Sequence, residues 1–273
     1  WRAMRANGCE ERLCTGDATP YEKFLAWAAT VPKTLRNPLY HWTHLELKRY
    51  FGIDELLDET TARRIWNTAN DLLAGEDLRA QAILRKFRVK AVCTTDDPAD
   101  DLTWHARIRD SGLGTRVYPT FRPDKAFSVH QPEVFNPWVE RLAAAADLDI
   151  SNFERLLDAL KLRHDYFHEM GARLSDHGLN QCYADFCSQD EAARIFDCAR
   201  SGKAASAEEQ RRFASFLMLF FGALDAEKGW TKQLHLGARR NNNTRAFRQL
   251  GLGYTNLGAF LMANGMAYDS DEG

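Results

Sequence analysis

The 273-residue chain is 45% hydrophobic and 27% charged, enough apolar material for a real core, which excludes a disordered tail or a small cross-linked scaffold. Its 36 Lys plus Arg face 38 Asp plus Glu, and the formal charge of −2 provides no broad positive field for nucleic acid or an anionic membrane. No apolar run approaches the roughly 20 residues that span a bilayer, and Trp1-Arg-Ala-Met-Arg5 has no signal-peptide core, so a cytoplasmic protein is expected.

The chain opens on Trp1 inside a helical pattern over residues 1–7, which reads as an internal piece of a longer protein. From Tyr21 to Val31 apolar residues recur at helical spacing, with Thr19 as N-cap and Pro20 at the first position. A second, aromatic-rich helix is expected from Leu39, after Pro38, to Gly52, and a third from Ala62 to Ala74, ended by Gly75. Residues 1 to about 80 therefore read as all-helical.

Beyond that point short β-rich runs alternate with helices. Strands are expected at 89–95, 115–121, 172–175 and 232–236, and helices at 98–111, 133–146, 151–169, 189–200 and 206–228. Connections this long exclude hairpins and indicate a parallel sheet, open or part of a barrel. Polar residues gather after each strand: Thr94 to Pro98, Arg122 to Lys125, Asp176 with His177, and His235 with Arg239 to Asn243. The carboxyl ends of parallel strands form the active face in α/β proteins.

Several of these stretches resemble uronate isomerase, a divergent member of the amidohydrolase superfamily. They are Trp1 to Gly8, Gly16 to Ala18, Thr34-Leu-Arg-Asn-Pro-Leu-Tyr-His-Trp-Thr-His-Leu-Glu-Leu47, Cys93-Thr-Thr-Asp-Asp-Pro98, Phe121-Arg-Pro-Asp-Lys-Ala-Phe127, Ser175-Asp-His177 and His235-Leu-Gly-Ala-Arg-Arg-Asn-Asn-Asn243. The resemblance implies a partial (β/α)8 barrel of the amidohydrolase type with a helical N-terminal insertion. It implies an isomerase that interconverts glucuronate and fructuronate, or galacturonate and tagaturonate, by proton transfer through an enediol. Such chemistry needs a base near C2, an acid or metal at the carbonyl and cations on the carboxylate. Arg122 and Arg240 match the family's arginines for that carboxylate, and a guanidinium can hold it by two parallel hydrogen bonds. His235 matches the strand-end histidine facing the substrate and is the catalytic candidate. A divalent metal, zinc in the first instance, is implied as cofactor, with its main ligands outside this chain, so the chain alone is expected to be inactive.

The domains expected are a helical insertion over 1–80, a partial barrel over 81–250 and a poorly matching tail over 251–273. Asp176 and His177 are weaker candidates, because adjacent strand residues point to opposite sides. Asp96 and Asp97 read as a helix N-cap before Pro98. His41 and His44 read as core packing, and Cys9, Cys14, Cys93, Cys182, Cys187 and Cys198 as reduced, buried thiols without Cys-x-x-Cys knuckles. Arg239 competes with Arg240 for the site, since neighbours cannot both point inward. The expected partner is a small hexuronate, without nucleic acid or membrane, and homo-oligomerisation is left open. The competing readings are a metal-dependent hydrolase of the same superfamily and a non-enzymatic sugar-binding module.

Overall fold

The computed structural model describes residues 1–236, which form two compact units, residues 1–86 and 87–236. The first unit is helical: α1 (Arg2–Ala6), α2 (Glu11–Cys14), α3 (Pro20–Thr30), α4 (Pro38–Phe51), α5 (Ala62–Ala74) and α6 (Ala80–Lys86). Local chemistry sets the ends of the longer ones. Thr19 and Glu22 form a reciprocal capping box at α3, and Gly52 closes α4 in the left-handed conformation at φ 68°. Ala28, Val31, Leu47, Leu57, Ala62 and Ile65 bury their side chains together between α3, α4 and α5. His44 is half-buried, with Nδ1 on the Tyr40 carbonyl and Nε2 accepting the Leu57 N–H, whereas His41 is exposed. Packing therefore accounts for His44 only. The short α2 and α6 were not anticipated.

The second unit alternates strands and helices: β1 (Ala91–Cys93), α7 (Thr103–Asp110), β2 (Arg116–Tyr118), α8 (Pro132–Ala146), α9 (Phe153–Glu169), β3 (Leu174–Leu179), α10 (Gln189–Arg200), α11 (Ala207–Lys228) and β4 (Thr231–Leu236). β1 pairs with β2 and β3 with β4, both in parallel. Single-residue parallel bridges join Phe121 to Asp96 on one side and to Ser175 on the other. The four strands thus run side by side in chain order, with Phe121 as the stitch between the pairs. The Phe121 ring is fully buried and meets Phe167 edge-on at 5.2 Å, with Phe221 and Trp230 close by. Arg163, also buried, donates to the carbonyls of Pro98, Ala145 and Asp100 at 2.7 to 2.9 Å, which ties the segment after β1 to α8 and α9.

Three expectations change. The third strand does not stop at residue 175 but runs on to Leu179, because Asp176, His177 and Gly178 find parallel partners on β4. Asp96 and Asp97 cap no helix, since α7 begins only at Thr103. Their carboxylates have other partners: Asp97 takes the Ala99 N–H and the Trp138 indole N–H, while Asp96 takes the Thr94 hydroxyl and the Thr120 N–H. Of the six cysteines, all free, Cys14 is buried, Cys93 and Cys182 are exposed, and the rest lie between. Among the described residues no helix is long and apolar enough to cross a membrane.

Candidate functional site

Residues alternate faces along β3 and β4, and the two faces carry different chemistry. On the face turned away from α9 and α11, Asp176 is buried at the centre of a polar group. His235, near the end of β4, approaches Asp176 with Nδ1 to Oδ1 at 2.6 Å. Arg122, directly after the Phe121 bridge, brings Nη1 to 3.7 Å from the second Asp176 oxygen. The register Gly178↔His235 puts β4 in reach of β3 here, and the bridge Phe121↔Ser175 does the same for the chain after β2. A carboxylate oxygen accepts, so in this contact Nδ1–H of His235 is the donor and Nε2 is the ring nitrogen turned away from Asp176. Arg122, Asp176 and His235 therefore meet, and Arg240 lies outside the described residues.

A residue the sequence reading passed over completes the group. Asp124 accepts the Arg122 Nε–H at 2.9 Å through one oxygen and the Gly178 N–H at 3.1 Å through the other. Burial pushes its carboxyl above the usual carboxylate range, against the pull of the Gly178 N–H and the Arg122 guanidinium. The spacing Arg122-Pro-Asp124, an acid two residues from the arginine, was the available signal.

The opposite face holds a buried ionic cluster under the helices. Asp225 of α11 accepts from Ser175 Oγ at 2.7 Å, pairs with Lys232 at 2.7 Å and meets His164 of α9 at 3.1 Å. Burial alone would raise the Asp225 carboxyl, but hydrogen bonds from His164, Lys232 and Ser175 outweigh it and hold the group below its ordinary value. His177 belongs to this face, fully buried, with Nε2 at 3.1 Å from the Lys232 ammonium and 3.2 Å from Ser175 Oγ. Burial, and then the neighbouring ammonium, pull its pKa down to about 3. Asp176 and His177 thus lie on opposite sides of one strand.

A metal needs three or more converging ligands. Among the described residues no three His, Cys, Asp or Glu side chains meet in that way. In the Asp176 and His235 pair the facing atoms are engaged with each other and with Arg122, so the described residues do not fit a metal.

Fold and site together define a parallel α/β protein that collects arginine, carboxylate and histidine on one face of its strands. A family model described as glucuronate isomerase matches residues 1–268. The uronate isomerase of Solibacter usitatus is 65% identical over 97% of this chain and 57% of its own length, and that of Opitutus terrae is 58% identical over 95% and 55%. The crystal structure of the Thermotoga maritima uronate isomerase superposes with a TM-score of 0.84 at 34% identity, over 92% of this chain and 55% of that one. This chain belongs to the glucuronate isomerase family, and it spans little more than half the length of these relatives.

Proposed function

We propose that the protein takes part in aldose–ketose isomerisation of hexuronates, glucuronate to fructuronate and galacturonate to tagaturonate, through an enediol. What supports the reading is the meeting of Arg122 and His235 on the Asp176 carboxylate, beside family membership over 268 residues. Arg122, together with Arg240, binds the substrate carboxylate. His235, held through Nδ1 by Asp176, offers Nε2 to the proton that moves between C2 and C1. The sequential parallel strand order supports reading residues 81–236 as part of a (β/α)8 barrel of the amidohydrolase type, and the helices before it support reading residues 1–80 as a helical insertion. Free thiols support a cytoplasmic setting.

A divalent metal such as zinc would polarise the carbonyl in the full reaction. No His-x-His pair occurs in the 273 residues, and the chain by itself binds hexuronate without turning it over. The test titrates the purified protein with D-glucuronate, with D-glucose as the control that lacks a carboxylate, and follows conversion by NMR with zinc or manganese added. Saturable binding of glucuronate is expected, weakened by about 1 to 3 kcal/mol in Arg122→Lys as the two-pronged contact is lost. Equal response to glucose and glucuronate, or an unaltered Arg122→Lys variant, refutes the carboxylate role. Conversion above a metal-only control refutes the inactivity of the chain alone.

A further inference from the structure

We propose that Asp124 is a positioning residue that, with Gly178 beside it, fixes the direction in which the Arg122 guanidinium presents its outer edge to an anionic ligand. This rests on the hexuronate reading above for the ligand, but the geometry behind it is independent. A guanidinium is planar, so fixing its Nε–H fixes the plane and the direction of both outer nitrogens. Asp124 does this through one oxygen at 2.9 Å and is itself kept from turning by the Gly178 N–H on its other oxygen at 3.1 Å. The carboxylate therefore straps the segment after β2 onto the backbone of β3.

Gly178 supplies the second observation. Its φ is not in the left-handed region, so the backbone does not demand glycine there. Space does: a Cβ at that position would lie 2.8 Å from Arg122 Nη2 and 2.9 Å from Asp124 Oδ2. Any side chain at 178 would have to displace the pair. The strap leaves Nη1 at 3.7 Å from the Asp176 carboxylate, an ion pair without a direct hydrogen bond, so among the described residues that edge can still turn to a ligand oxygen.

The test compares wild type, Asp124→Asn, Gly178→Ala, Arg122→Lys and the double variant Asp124→Asn with Arg122→Lys in the 273-residue protein. Nitrogen-15 NMR reads the Arg122 Nε–H without ligand, and calorimetry reads D-glucuronate binding. The Nε–H signal is expected to be protected from water exchange in the wild type and to lose protection in Asp124→Asn. Glucuronate affinity should fall about tenfold in Asp124→Asn, the effect of one charge-assisted hydrogen bond. In the Arg122→Lys background the same change should produce no further loss, because Asp124 acts through Arg122. Additive losses, or a protected Nε–H in Asp124→Asn, overturn the proposal. Gly178→Ala should reproduce the loss of affinity, and if that variant does not fold, Asp124→Asn and the double variant carry the test. Absence of glucuronate binding by the wild type would sink the hexuronate reading while the Nε–H measurement still decides whether Asp124 orients Arg122.

Discussion

Acidification should destabilise the second unit through His177. The ring is fully buried, flanked by Phe127 and Phe221, with the Lys232 ammonium at 3.1 Å and Ser175 Oγ at 3.2 Å. The carboxylates of Asp225 and Asp176 favour its protonation and Arg122 opposes it, yet burial and Lys232 win and hold the pKa at about 3, against an ordinary 6.5. Because the folded-state pKa is depressed, the unfolded chain binds the proton first. Stability is intact above 6.5 and is lost as pH falls from there towards 3. Between about pH 7.5 and about pH 5 the loss from this one residue comes to about 2 kcal/mol, since the unfolded histidine is almost fully protonated at the lower pH and the folded one is not. Urea unfolding at both pH values, read by hydrogen exchange in peptides of β3 and α11, follows this unit separately from residues 1–86. His177→Gln cannot titrate, so its own loss over the same interval should be smaller by about 2 kcal/mol, whatever its baseline stability. An equal pH dependence in wild type and variant would refute the assignment of a neutral, proton-rejecting imidazole.

Three further outcomes follow from the packing. Arg163→Met leaves the buried Pro98 carbonyl and the partly buried Ala145 and Asp100 carbonyls without their donor and should cost about 2 to 4 kcal/mol in urea unfolding; a loss under about 1 would mean the carbonyls find other partners. Phe121→Ala empties the aromatic junction between the strand pairs and should cost about 3 to 5 kcal/mol, measured the same way, with faster amide exchange at Asp176. Ser206→Ala removes the side-chain half of the capping box on α11 and should cost about 1 kcal/mol, seen as a small drop in thermal midpoint. Wild-type melting in that variant would show that tertiary contacts alone fix the start of α11.

The helices were legible in the sequence because their signals are local. Thr19 with Pro20, Pro38 with Gly52, and apolar spacing over three or four turns define α3 and α4 without reference to the rest of the chain. The family motifs likewise marked Arg122, Asp176 and His235 as candidates. Their meeting was not legible, because it depends on register between strands roughly 60 residues apart. Nothing local announces that Asp176, His177 and Gly178 continue a strand, since Asp and Gly are poor strand formers and the pairing with β4 keeps the segment extended. That same pairing turned Asp176 to the face shared with Arg122 and His235, and buried His177 against Lys232 on the other. The role of Asp124 is of this kind as well: the sequence shows an acid two residues after an arginine, but only the approach of the Gly178 backbone makes it a strap. Residue types and helix boundaries follow from short-range sterics and capping, while the partners of each charged group follow from which strand lies next to which, a long-range outcome of packing the sheet under α9 and α11.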